Sequence, residues 1–212
     1  MRPILIFLSL LSFHFSFGQQ YFGVKIAPGI QTTTYSSGIE YSPEFSMRSG
    51  LHYGYRFNEE KPWGIQSGIY YNQRGYRIND LTLQHSPGNI QRADVIINKN
   101  NIGLNLLFKA ERNFLYASAG PCIEYNLNQA FIVDYDTESL TDTKSVSSPT
   151  DFSEALYFGY EVNLGIQFSL SDKIQAFTEL SINQVFSQKL EIIDQRIGYL
   201  NMNLAFGLNY HL

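Results

Sequence analysis

The sequence predicts an all-β chain: an eight-stranded antiparallel up-and-down transmembrane β-barrel with a polar, filled lumen. It occupies residues 19–212, behind a leader at residues 1–18. Three observations predict it. Apolar residues recur at every second position through long segments, which is the period of an extended strand and not of a helix. The opposite face of those segments carries glycine, asparagine and glutamine where a water-facing sheet would carry lysine and glutamate. Short charged turns alternate with longer connections along the chain, the arrangement of a barrel with turns on one membrane side and loops on the other.

The leader comes first. Arg2 is followed by the apolar run "ILIFLSLLSFHFSF", and Ser16 and Gly18 supply small residues at −3 and −1 of a cleavage site. The run is short for a membrane anchor of about 20 residues. Gln19 and not cysteine follows it, which excludes lipid attachment there. This signal peptide places the chain in the export pathway.

The strands follow in order. "YFGVKIAPGI" sets Phe22, Val24, Ile26 and Ile30 against Gly23 and Lys25. "FSMRSGLHYGYRF" sets Phe45, Met47, Leu51, Tyr53, Tyr55 and Phe57 against Ser46, Arg48, Gly50, His52, Gly54 and Arg56. "WGIQSGIYYNQRGY" sets Trp63, Ile65, Ile69 and Tyr71 against Gly64, Gln66, Gly68, Tyr70 and Asn72. "NIGLNLLFKA" sets Ile102, Leu104, Leu106 and Phe108 against Gly103, Asn105 and Lys109, and the fifth sets Leu115, Ala117, Ala119, Ile123 and Tyr125 against Gly120 and Glu124. The sixth, "ALYFGYEVNLGIQFSL", alternates without a break from Leu156 to Leu170, with Glu161 and Asn163 on its polar side. The seventh sets Ile174, Ala176, Leu180 and Ile182 against Gln175, Glu179 and Asn183. The eighth, "YLNMNLAFGLNYHL", sets Leu204 and Phe206 against Asn203 and Gly207. Each is long enough for a tilted spanning strand of about 9–11 residues. Backbone groups in hydrocarbon must all be paired, so eight such strands have to close.

The short connections are "NEEKP", "ERN" and "SDK". The long ones fall near Gln31–Pro43, Asn79–Arg92, Gln129–Glu154 and, more briefly, Gln188–Asp194. An even strand number puts both termini at the short-turn end, expected to be periplasmic. Tyr55, Phe57, Trp63, Phe108, Phe168 and Tyr210 gather near that end as a candidate interfacial belt. A soluble lipocalin-like barrel or secreted sandwich would reverse the faces, apolar inside and charged outside. The scarcity of charge on the polar face favours lipid outside.

Composition narrows the function. A formal charge of −4 with 16% charged residues gives no basic patch for nucleic acid. Mean hydropathy of −0.17, taken alone, reads as a soluble protein, so the barrel rests on the alternation and not on hydropathy. Cys122 is the lone cysteine, so no internal disulfide forms, and its expected role is small filler.

Lys25, Arg48, His52, Arg56, Lys109, Glu124, Glu161 and Glu179 fall on the inward faces. Charges in a narrow lumen are costly unless paired. Glu161 and Glu179 are therefore expected to neutralise basic residues of the first two strands across the lumen. A packed polar plug and an ion or proton path are the two readings of such a set. His85-Ser86, in the second long connection, is the one pair that could serve a lipid-modifying enzyme on this scaffold, but no Gly-x-Ser-x-Gly turn surrounds it. Asp134, Asp136 and Glu138 alternate in the third connection. They lack the glycine of an EF-hand loop and read as a solvated acidic segment before a calcium site. No phosphate-cradling loop, zinc cluster or cofactor motif is visible.

Several stretches carry a family resemblance: "GVKIAPGI", "GIQSGIYYNQRG", "NNIGLNLLFKAERNFLYASAGPCIEYNL" with its Ala119-Gly120-Pro121, and the closing "LAFGLNYHL". Over about residues 20–212 the chain resembles the PorT-type outer-membrane β-barrel family of Bacteroidetes. Where that family usually has a "YLEIP"-like fourth-strand motif, this chain has "NIGLN". The resemblance implies an outer-membrane barrel and, through the family's eponymous member, an accessory role in type IX protein secretion. The expected function is thus non-enzymatic, structural or recognitional, exercised through the long loops. Outer-membrane lipid is the expected surrounding, and secretion-machinery or periplasmic proteins the expected partners. A lipid-modifying enzyme and a small-solute channel are the alternatives.

Overall fold

The computed structural model describes residues 19–33, 41–57, 62–86, 89–135, 143–147, 156–190 and 195–212, with side chains described outside 81–91, 135, 143–147, 187–190 and 195–197. The strands are β1 (Gln19–Thr33), β2 (Tyr41–Arg56), β3 (Trp63–Ser86), β4 (Asn89–Arg112), β5 (Leu115–Tyr135), β6 (Thr143–Ser147), β7 (Leu156–Ser169), β8 (Ile174–Leu190) and β9 (Gln195–His211). Every neighbouring pair is antiparallel. β1 pairs with β9 from Tyr21↔His211 to Thr33↔Tyr199, and β4 with β5 from Ala93↔Tyr135 to Arg112↔Leu115. Those two pairings close a ring of eight strands, β1-β2-β3-β4-β5-β7-β8-β9, and leave β6 as a short addition to the outer part of β5.

The faces separate as the alternation requires. On β9, Leu204 and Phe206 are 50% and 46% exposed and Asn203 2%; on β7, Val162 and Leu164 are 43% and 62% exposed and Glu161 0%. From Phe158 to Leu170 the outward apolar row covers about 40 Å of strand at ~3.3 Å per residue, or ~30 Å of height at a tilt near 40°. That is the thickness of a bilayer's hydrocarbon core.

One end of the barrel is trimmed by tight turns that bond to neighbouring strands. Glu111 donates its amide to Pro62 O (2.7 Å), Gln167 to Phe114 O (2.7 Å) and Leu212 to Gln20 O (3.0 Å). Asn113 opens the β4–β5 turn at φ 56°, a left-handed conformation asparagine tolerates and two-residue hairpins demand. Of the six belt residues, Phe57, Trp63, Phe108, Phe168 and Tyr210 are exposed; Trp63 stacks on Phe108 with centroids 5.2 Å apart. Tyr55 corrects the expectation: it is buried, its ring edge-on to Phe57, and does not belong to the outer surface.

The other end departs from the sequence reading. The stretch 79–92, expected as a loop, is a continuation of β3 and β4 paired from Leu81↔Ala93 to Ser86↔Asn89. Pro87-Gly88, a dipeptide that in sequence favours a turn, lies outside the described residues between them. β5 likewise runs on to Tyr135, and β8 and β9 pair out to Leu190↔Gln195. The outward face turns polar at this level: Tyr71 Oη donates to Asn100 Oδ1 (2.8 Å) and Asn100 Nδ2 to Asn128 Oδ1 (2.8 Å). Beyond Tyr71 the β3–β4 ribbon extends roughly 50 Å along its strands at ~3.3 Å per residue. A bulge after Ile78, with Asp80 at φ 51° and its amide on Asp94 Oδ1 (3.1 Å), breaks its register.

Candidate functional site: a packed ionic lumen

Three carboxylates organise the interior. Glu161 on β7 accepts from Arg48 Nη2 (2.6 Å) and Asn105 Nδ2 (2.8 Å) on one oxygen, and from Lys25 Nζ (3.4 Å) and Asn163 Nδ2 (3.0 Å) on the other. Glu179 on β8 accepts from Lys25 Nζ (2.7 Å) and Tyr116 Oη (2.6 Å). Glu124 on β5 pairs with Arg74 and accepts from Asn101 Nδ2 (3.0 Å) and Tyr70 Oη (3.2 Å). The cations come from β1, β2 and β3 and the carboxylates from β5, β7 and β8, so the bridges run across the barrel. Burying an ion pair is less costly when its remaining lone pairs and protons are also bonded; the oxygens of these carboxylates are bonded, while Arg48 Nε and Nη1 and Arg74 Nε and Nη1 find no hydrogen-bond partner among the described residues. The Arg48 guanidinium also lies 3.5 Å from the Tyr70 ring centre.

At the short-turn mouth the arrangement changes. Lys109 Nζ meets Glu111 (2.8 Å), donates to Tyr21 Oη (3.3 Å) and Gln167 Oε1 (3.4 Å), and lies over the Tyr116 ring (4.4 Å). Arg56 also pairs with Glu111 and reaches Gln19 Oε1 (3.2 Å). His52 is buried against Asn209 Oδ1 (2.7 Å) and edge-on to Phe177, and makes no hydrogen bond or ion pair with a carboxylate among the described residues.

Seven of the eight residues singled out from the sequence therefore fall into three groups. Lys25, Arg48, Glu161 and Glu179 form one network. Glu124 sits in a second with Arg74. Arg56 and Lys109 share Glu111 at the mouth, and His52 stands apart. The sequence reading missed Arg74, Lys99 and Glu111. All three share the inward phase of their strands: Arg74 and Glu111 lie two residues beyond Asn72 and Lys109, and Lys99 lies four residues before Gly103, the first inward residue read on that strand. β3 and β4 run further than the lipid-facing alternation marks. Cys122 is buried in the lumen and accepts from Asn183 Nδ2 (3.1 Å).

Glycine on the lumen face has a steric cause. Tyr21 is paired with Gly54, Tyr70 with Gly103, Tyr116 with Gly165 and Phe177 with Gly207. Each ring lies over its partner, and a Cβ there would overlap it. The couples fill a narrow lumen with rings and aim the Tyr70 and Tyr116 hydroxyls at Glu124 and Glu179.

Past this polar zone the filling becomes aromatic and aliphatic. Tyr76, Ile78, Val95, Ile97, Tyr157, Val185 and Tyr199 form one buried cluster at the long-loop end, with Tyr41, Phe131 and Val133 against it. Lys99 Nζ donates to Tyr199 Oη (3.1 Å) at its underside. Among the described residues no group of three or more His, Cys, Asp or Glu could hold a metal ion. Asp134 lies opposite Asp94 at the outer end of β5, while Asp136, Glu138 and the side chains of His85 and Ser86 fall outside the described residues.

No curated protein is similar enough in sequence to count as a relative. Among solved structures, the chain is similar to Neisserial surface protein A (12% identity, 90% of this chain and 96% of that one, TM-score 0.47). It is also similar to OprG of Pseudomonas aeruginosa (10%, 94% and 97%, TM-score 0.39) and to the outer membrane protease OmpT of Escherichia coli (7%, 92% and 97%, TM-score 0.44). The family model for the outer membrane protein beta-barrel domain matches residues 11–187. The chain belongs to that family of outer-membrane β-barrels.

Proposed function

We propose that this protein is a plugged outer-membrane scaffold, non-enzymatic, whose work is structural or recognitional and is done by the strand extensions and connections beyond the membrane. In its specific form the proposal is an accessory role in type IX secretion, as the PorT-type resemblance implies. Residues 1–18 act as a cleaved signal peptide, and the short turns and both termini lie in the periplasm. The observation that carries the reading is the filling of the lumen. Arg48, Glu161, Glu179 and Lys25 bridge its middle while Tyr76, Tyr157 and Tyr199 pack its outer end. Such an interior suits a support better than a conduit, and the outer ribbon of β3, β4 and β5 supplies surface for a partner.

Crosslinking in intact envelopes followed by affinity capture tests the proposal. Recovery of secretion-machinery or periplasmic proteins is the expected result. Planar-bilayer conductance above background would favour a small-solute channel instead. A lipid-modifying activity abolished by Ser86→Ala or His85→Ala would favour an enzyme.

A further inference from the structure

The outward face of β5 is unlike those of its neighbours. From Leu115 it runs through Ala117, Ala119 and Pro121, all exposed. Ala119 lies between Phe108 on β4 and Val162 on β7, and Ala117 between Ala110 and Leu164. Phe108, Val162 and Leu164 are 51%, 43% and 62% exposed and stand up from the surface. β5 is therefore the floor of a furrow one to two strands wide. At its short-turn end the furrow opens into a groove of about 500 Å³, with Trp63 and Leu164 at its sides and Leu115 and Ala117 of β5 in its lining.

Two features identify what fits it. From Leu115 to Pro121 the floor is about 20 Å long at ~3.3 Å per residue, or ~15 Å of height at a tilt near 40°, which is one leaflet of a ~30 Å hydrocarbon core. Arg112 lines the groove's mouth, exposed and without an ion-pair partner among the described residues, while neighbouring Glu111 is taken up by Arg56 and Lys109. A positive charge at the depth of the interfacial Trp63, above an acyl-sized furrow, matches the two ends of one lipid.

We propose that the β5 furrow is a binding site for an anionic phospholipid of the leaflet at the short-turn end, with the acyl chain on Ala117 and Ala119 and the phosphate at Arg112. The site rests on the membrane location and not on the proposed secretion role.

Trp63 is the only tryptophan and lines the site, so its fluorescence reports occupancy directly. The experiment places the full chain in vesicles of unlabelled phosphatidylcholine doped with chain-dibrominated phosphatidylglycerol or, separately, dibrominated phosphatidylcholine. At low salt the glycerol lipid is expected to quench with about fivefold higher relative affinity, the value of one basic side chain near a surface. Arg112→Gln, an exposed change, is expected to bring the two lipids to parity. Ala117→Leu with Ala119→Leu is expected to reduce quenching by both, with heat-modifiable gel migration showing that the barrel still forms. Equal quenching by both lipids in the unaltered protein would overturn the proposal. So would an unchanged preference in Arg112→Gln, or quenching that follows protein density and not lipid type, which marks a second copy in the furrow.

Discussion

Replacing Glu161 by glutamine isolates the ionic centre of the barrel. The side chain keeps its shape and loses its charge. In the native lumen two cations, Lys25 and Arg48, face two carboxylates, Glu161 and Glu179, so the substitution leaves one positive charge uncompensated at a fully buried site. It also turns one acceptor into a donor. Oε2 receives Arg48 and Asn105 while Oε1 receives Lys25 and Asn163, so the new NH2 faces N–H groups whichever way the amide is set. Removing one partner of a buried pair costs about 3–5 kcal/mol. Arg48→Gln added to Glu161→Gln restores neutrality and is expected to recover about 2 kcal/mol as the coupling term of a double-mutant cycle. The assay is reversible urea unfolding in lipid vesicles, followed by Trp63 fluorescence and by heat-modifiable migration. A loss below 0.5 kcal/mol for Glu161→Gln, or a coupling indistinguishable from zero, would refute the reasoning. The lumen would then be wet enough to screen its charges.

Other consequences follow from the same geometry. Gly103→Val drives a side chain into the Tyr70 ring and is expected to cost about 1–3 kcal/mol by urea midpoint, whereas Gly103→Val with Tyr70→Ala should cost less than the sum of the two. Leu204→Arg puts a charge on the exposed face near mid-span and should cost about 2–4 kcal/mol in vesicles, with a smaller penalty for Leu212→Arg at the edge. Tyr199→Ala removes a fully buried ring from the outer cluster and is expected to destabilise by about 3–5 kcal/mol, read as faster exchange of amides in β8 and β9.

Much of the barrel was legible because one physical rule, apolar toward lipid and polar toward the axis, acts on every spanning residue. Leu204 and Asn203 obey it, and so do Val162 and Glu161. The rule weakens where the environment changes. Past Tyr71 the outward face meets water and the inward face meets the apolar cluster, so Arg77 and Asn79 point out while Tyr76 and Ile78 are buried. Alternation continues there with its meaning reversed, so the segment carries no lipid-facing signature in sequence. The same loss of signature hid Arg74 and Lys99. Tyr55 escaped for another reason. Alternation gives a face, and it does not say that Phe57 will cover the ring. The pairing of rings with glycines was invisible until register set Tyr116 beside Gly165. Period two describes each strand alone, and register comes from the whole closed sheet.

The orientation of the barrel's two faces decides the rest: one side of the sheet meets hydrocarbon and the other the shared axis. The direct measurement is an NMR NOE experiment on methyl-labelled, otherwise deuterated protein in lipid nanodiscs, read from acyl-chain methylene protons. Cross-peaks to the methyls of Val162, Leu164 and Leu204, with none to the side-chain amides of Asn163 and Asn203, are the predicted result. Acyl-chain contacts at those asparagines, with the leucines silent, would contradict it.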